Sequence, residues 1–171
     1  MTQIRKKHRQ LSESETWSIL EQGEYGVLST VDKQGQPYGI PLSYAVHGEC
    51  IYFHGAAEGH KLSNIRTNNR VCFTVVGRTL LMPQKFTTFY ESAIVFGTIS
   101  ELENTEKEEA LATLVRKYSP DYYDLGMAYI RRSAQETNVL KLNIEQVTGK
   151  SSRDPSTTRT TGRANPYGNQ A

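Results

Sequence analysis

Only two of the 171 residues are cysteine, Cys50 and Cys72, too few for a disulfide framework or a zinc cluster. Each sits in a strand-like run, so both read as small buried thiols in a reducing compartment. No HxH or CxxC spacing occurs, and a metal site built from His54, His60 and Cys72 has no motif behind it. No apolar run approaches the ~18–20 residues that span a bilayer. The basic opening segment RKKHRQ has no hydrophobic stretch after it, so the expectation is a cytoplasmic protein. Neither GxGxxG nor GxxxxGKS/T is present, which removes the main support for a dinucleotide fold or a P-loop. Net charge is only +2, so the chain is not a polycation that would coat nucleic acid.

Hydrophobic residues make up 37% of the chain and the mean hydropathy is −0.56. The two ends account for part of that low value. Residues 1–10 carry Arg5, Lys6, Lys7, His8 and Arg9 almost consecutively and read as a basic, solvated arm. From Ser151 onward the chain is rich in Ser, Thr, Gly, Pro and Arg with almost no aliphatic residue. Such a segment cannot offset its ordering entropy by burial, and reads as a tail that orders only against a partner. The expected folded body is residues 11–150, one domain's worth of chain.

Within the body, Ser12 through Gly23 reads as a helix, with Ser12 and Glu15 at capping-box spacing and Gly23 as a C′ stop. Tyr25–Val31 and Tyr38–Val46 read as strands joined by the turn DKQG, and His47-Gly48 turns into Cys50–His54. A short helix is expected over His60–Asn68, then strands over Val71–Val76 and Phe86–Leu102. Thr105 and Glu108 suggest a second capping box, opening a helix that runs to Pro120 with Leu111, Leu114, Val115 and Tyr118 on one face. A short helix over Asp124–Glu136 and a strand over Val139–Val147 complete the body. About six strands joined mostly by hairpins, with helices at the flanks, predict a mainly β (α+β) protein. Its sheet would be a curled antiparallel one or a small barrel.

The strongest local signal is IYFHGAAEGHKLSNIRTNNRVCF, residues 51–73. A strand runs into a small-residue turn (Gly55, Ala56, Ala57, Gly59), and His60 and Lys61 then open a helix. Glycines let backbone N–H groups approach closely, the helix dipole favours negative charge, and Lys61 adds a full cation. That pattern suits a phosphate-bearing ligand. An ordinary loop with a solvated lysine fits this segment equally well.

Three blocks in order, GVLSTVDKQGQPYGIPLSYAV, IYFHGAAEGHKLSNIRTNNRVCF and FYESAIVFGTISEL, resemble the pyridoxamine 5′-phosphate oxidase-like split barrels, and within them the nitroimidazole-resistance branch. The similarity spans about residues 11–150. It implies an FMN-binding split β-barrel that works as a homodimer, with the flavin at the subunit interface. By that resemblance Tyr38, Gly39, Ile40, Pro41, Leu42 and Ser43 run along the isoalloxazine and ribityl chain, and Phe53 and His54 end a strand beside the flavin. His60 and Lys61 match an Arg-Lys pair on the phosphate, with an imidazole standing where the oxidases carry a permanently charged guanidinium. Ser92 falls where a contact from the partner subunit is expected. The only tryptophan is Trp17, and no C-terminal substrate signature of the true oxidases is visible, so vitamin B6 oxidation is not expected.

The expected function is therefore that of an FMN-dependent oxidoreductase acting on a small nitroaromatic or related acceptor, with His54 as the candidate proton or hydrogen-bond donor. Arg66 and Arg70 reach either the phosphate or surface carboxylates. Phe86, Phe89 and Tyr90 line a substrate opening or pack in the core. Two other classes stay open. A flavin- or haem-binding module without turnover would recruit His54 or His60 as an axial ligand. A nucleic-acid-binding barrel would use the basic ends, but those residues are not interleaved with aromatics across the strands.

Overall fold

A computed structural model describes residues 4–133 and 137–152. Helix α1 (Glu13–Gln22) leads into β1 (Gly26–Val31), β2 (Pro37–Leu42), β3 (Tyr44–His47) and β4 (Cys50–Ala56). Helix α2 (His60–Thr67) then precedes the long hairpin of β5 (Arg70–Met82) and β6 (Thr87–Glu101). Helices α3 (Asn104–Tyr118) and α4 (Tyr123–Ser133) and strand β7 (Thr137–Ser151) follow. All pairings are antiparallel, in one seven-stranded sheet of order β2-β1-β5-β6-β7-β4-β3.

The expected strand Tyr38–Val46 is in fact two strands, so the count is seven rather than six. Their partners differ: β2 pairs with β1 at one end of the sheet, and β3 pairs with β4 at the other. Only Ser43 separates them. With Cα atoms about 3.8 Å apart along the chain, the two outer strands of the sheet must lie side by side where the chain passes from one to the other. The sheet therefore curls into a barrel that is open along this seam, which is the split barrel expected above.

Alternate residues of the strands fill the barrel. Leu28, Ile51, Phe53, Phe73, Val75, Val95, Leu140 and Leu142 form its core, joined by Leu62 and Ile65 from α2 and by Ile19 and Leu20 from α1. A second cluster lies outside, where Ala45, Cys50, Tyr52 and Val139 meet Leu111, Leu114 and Ile130 of α3 and α4. Cys50 is buried as expected, but Cys72 is only partly so. No helix is long and apolar enough to cross a membrane among the described residues.

Local expectations hold unevenly. Ser12 caps α1 through the full box with Glu15. Gly23 ends that helix in an extended conformation (φ −64°) rather than a left-handed one. A Cβ there would stand 2.5 Å from Tyr44 Oη and 2.6 Å from Val75 Cγ1, so close packing and not backbone freedom calls for glycine. Helix α3 starts at the expected place without its box: Glu103 is the N-cap, its side chain makes no capping bond, and Thr105 lies within the first turn. The body extends past 150: Ser152 N–H donates to the Tyr90 carbonyl (2.9 Å) and its hydroxyl to that of Thr88 (3.1 Å). The remainder of the expected tail and Ala134–Glu136 of the expected short helix lie outside the described residues.

Candidate functional site

The carboxyl end of β4 and the start of α2 form the candidate site. Gly59 caps α2 at φ +132°, a conformation essentially reserved for glycine. Its side-chain-free position leaves the first N–H groups of the helix uncapped. The first intrahelical bonds are donated by Leu62 and Ser63 to the Gly59 carbonyl, at 3.1 and 3.2 Å. The N–H groups of His60 and Lys61 precede them, as orphan donors do at a helix start.

Lys61 is 8% exposed, held down by the neighbouring Leu62 and Ile65, which enter the barrel core. Its ammonium lies beside Gly55, where an added Cβ would stand 3.1 Å from Nζ. A larger residue at 55 would crowd the cation. No ion pair of Lys61 exists among the described residues. Glu101 on β6 is already engaged: Arg66 holds both its oxygens (2.7 and 3.0 Å) and Asn138 Nδ2 donates to Oε2 at 2.6 Å. Arg66 thereby holds the Glu101 carboxyl below the usual range. Asn138 stands opposite Gly55 in the β4–β7 register, and its Oδ1 is buried with no hydrogen-bond partner among the described residues.

Two contacts fix α2 against the open strand. Asn64 Nδ2 donates to Thr30 Oγ1 (3.0 Å), which in turn donates to the Tyr38 carbonyl at 3.4 Å. The exposed His60 ring meets Tyr38 edge-on at 4.7 Å. Strand β2 is an outer strand, which is why it tolerates Pro37 and Pro41 without losing ladder bonds. Tyr38, Ile40 and Leu42 turn toward the barrel, while Gly39 and Pro41 are exposed, as is Ser43 beyond the strand.

The expected site residues thus divide. Tyr38, Gly39, Ile40, Pro41, Leu42 and Ser43 form one strand and its exit, joined by Tyr38 to His60 and Lys61. The Phe53 side chain is fully buried in the barrel core and packs against Phe73 at 5.0 Å. His54 is displaced. Ile51 and Phe53 enter the barrel whereas Cys50 and Tyr52 pack under α3, so alternation carries His54 to the helix side and Gly55 to the Lys61 side. His54 is exposed, yet desolvation still lowers its pKa. Ser92 lies remote from Lys61 along the chain pairing, on β6 between Val76 and Lys150.

Of the other residues weighed, Arg66 pairs with Glu101 and Arg70 with Glu145. His47 stacks on Tyr52. Phe86 is 98% exposed at the tip of the β5–β6 hairpin. No cluster of three or more potential metal ligands occurs among the described residues. Sequence reasoning missed Thr30, Asn64 and Asn138, since a lone Thr or Asn carries no local signal of burial.

The family model described as pyridoxamine 5′-phosphate oxidase matches residues 12–151. Among solved structures, the chain is similar to a proposed 5-nitroimidazole antibiotic resistance protein from Bacteroides thetaiotaomicron, at 27% identity and a TM-score of 0.69. The match covers 83% of this chain and 86% of that one. A conserved hypothetical protein from Mycobacterium tuberculosis aligns at 18% identity and a TM-score of 0.76, over 94% and 97% of the two chains. The FAD- and haem-binding protein of Mycobacterium smegmatis aligns at 20% identity and a TM-score of 0.74, over 88% and 77%. Among curated proteins, none matches this sequence. The matched family model spans the whole barrel, and the chain belongs to the pyridoxamine 5′-phosphate oxidase family.

Proposed function

We propose that the protein is an FMN-binding oxidoreductase that reduces a small nitroaromatic, such as a 5-nitroimidazole, or a related acceptor. One observation carries the reading: a buried lysine, in no ion pair among the described residues, at the glycine-opened start of a helix next to an outer strand. The residues present fit a phosphate, whose negative charge would relieve the isolated Lys61 cation and accept from the orphan N–H groups of α2. His60 adds a donor on the same side. Along β2, backbone groups on the strand's free side suit the polar rim of a flavin ring, and Pro41 offers apolar surface. When bound, flavin supplies the two-electron chemistry itself.

In this reading the protein is a homodimer and Ser92 reaches the flavin of the partner subunit. Support comes from the surface it would cover, where Val27, Val76 and Leu81 are all exposed. The nitroaromatic acceptor is supported by the Bacteroides relative's description alone. His54, on the far face of β4 from Lys61, is no longer the favoured proton donor. Purified protein should show flavin absorbance in the blue and near ultraviolet, and should reduce a 5-nitroimidazole with a nicotinamide reductant. A Soret band without flavin bands supports instead a haem module; haem is one of the two cofactors named for the Mycobacterium smegmatis neighbour. Flavin binding without nitro reduction restricts the reading to a carrier.

A further inference from the structure

We infer that Arg66 and Asn138 are positioning residues for the anion site at Lys61. Together they hold the Glu101 carboxylate off that cation, which keeps it free for the phosphate of a ligand. The inference rests on the flavin reading above and adds to it two residues that touch no ligand. Three adjacent strands carry the groups concerned. Glu101 ends β6, Asn138 lies near the start of β7, and Gly55 lies near the end of β4. Glu101 stands opposite Leu140, and Asn138, two residues before Leu140, stands opposite Gly55. Leu140 belongs to the barrel core, so alternation and pairing put Glu101, Asn138 and Gly55 on that same face. Helix α2 crosses the row, meeting Glu101 with Arg66 and Gly55 with Lys61.

A carboxylate in this row competes with any anion for Lys61. Directly paired positions bring Cβ atoms to about 4.5–5.5 Å, and the Lys61 ammonium is 3.1 Å from the place of a Gly55 Cβ. Asn138 therefore separates carboxylate from ammonium by little more than its own side chain. Glu101 is nevertheless committed on its other side. Arg66 Nε donates to Oε1 at 2.7 Å and Nη2 to Oε2 at 3.0 Å, the two-point geometry a planar guanidinium gives a carboxylate. Asn138 Nδ2 donates to Oε2 at 2.6 Å. The Oδ1 of the same amide is buried with no hydrogen-bond partner among the described residues. An unmet acceptor is unfavourable, so the amide's orientation is set by the carboxylate and not by its own satisfaction. The Arg66 side chain is 60% exposed, and such a pair adds little to the stability of a fold. Its use lies at the site: released from Arg66, the flexible Glu101 side chain has Lys61 as its next cation.

Titration of FMN into the flavin-free chain, followed by calorimetry, tests this. Arg66→Gln should weaken FMN by about fivefold or more, and Glu101→Gln in the same chain should restore native affinity. Glu101→Gln alone should not weaken binding. In a Lys61→Ala background Arg66→Gln should cause no further loss, because the released carboxylate then has no lysine to capture. That comparison separates capture of Lys61 from the mere loss of a positive charge, which acts alike in both backgrounds. Asn138→Leu removes one of the three bonds on Glu101, and should weaken FMN and be rescued by the same Glu101→Gln. If melting shows that Arg66→Gln does not fold, the Asn138→Leu and Glu101→Gln pair runs the same cycle. A native chain that takes up no FMN overturns the flavin reading and this proposal with it. Native binding that Arg66→Gln leaves unchanged, or a loss that Glu101→Gln does not rescue, overturns the proposal alone. So does an equal loss with and without Lys61.

Discussion

An ammonium group withdrawn from water with no carboxylate beside it is unfavourable, and Lys117 is in that position among the described residues. Lys117 is enclosed: its Nζ has no hydrogen-bond partner among the described residues and lies 3.8 Å from the centre of the Tyr44 ring. Burial pushes the Lys117 pKa down to about 8 from 10.5. The folded protein therefore releases this proton before the unfolded chain does, and stability rises with pH once the folded value is passed. Thermal melts between pH ~8 and ~9.5, below the ordinary tyrosine value of ~10, should show that rise in the native chain and lose it in Lys117→Met. His54 gives a second test at this scale. Because it faces α3 and not Lys61, His54→Gln should change flavin affinity by less than about twofold, as expected for separated sites. The site's cation was legible in the sequence because glycines and a lysine at a helix start are a local pattern. The facing of His54 was not. Cys50, Ile51, Tyr52 and Phe53 are all buried, so β4 shows no alternation from which a face could be read.

Elements whose ends are set by their own residues were the legible ones. Helix α1 is an example, with Ser12 and Glu15 satisfying each other's backbone donors within four residues. Where a neighbour decides, the sequence misleads. Tyr38–Val46 has the pattern of one strand, and only pairing with two different partners breaks it at Ser43. The same holds for Gly23, which resembles a helix stop but serves as a gap for Tyr44 and Val75. Tyr44 Oη donates to the Leu20 carbonyl at 2.5 Å, so this contact ties α1 to β3. Gly23→Ala should therefore destabilise the fold by about 1–3 kcal/mol through overpacking, whereas a glycine needed only for chain freedom would cost less. Urea unfolding of the two proteins measures the difference.

At the scale of the molecule, the barrel was legible from hairpin spacing, but its closure depends on Ser43 linking the two outer strands. The exposed apolar face of the β5–β6 hairpin gives this scale its first test. Leu81 is 67% exposed and Val76 59%, and covering such side chains gains roughly 1.5–3 kcal/mol each at full burial. Light scattering after gel filtration should report a dimer, and Val76→Asp combined with Leu81→Lys should shift it to monomer. A monomeric native chain would remove the partner's Ser92 from the site.

The central claim, that Lys61 and the start of α2 hold the phosphate of a flavin, is tested most directly by titrating FMN against flavin-free protein and following quenching of flavin fluorescence. The account predicts saturation at one FMN per chain. In Lys61→Ala it predicts affinity weaker by about 10–100-fold, the loss of one charge-assisted hydrogen-bonding group, with the melting temperature unchanged or raised. FMN that fails to bind, or that binds the two proteins equally well, contradicts it.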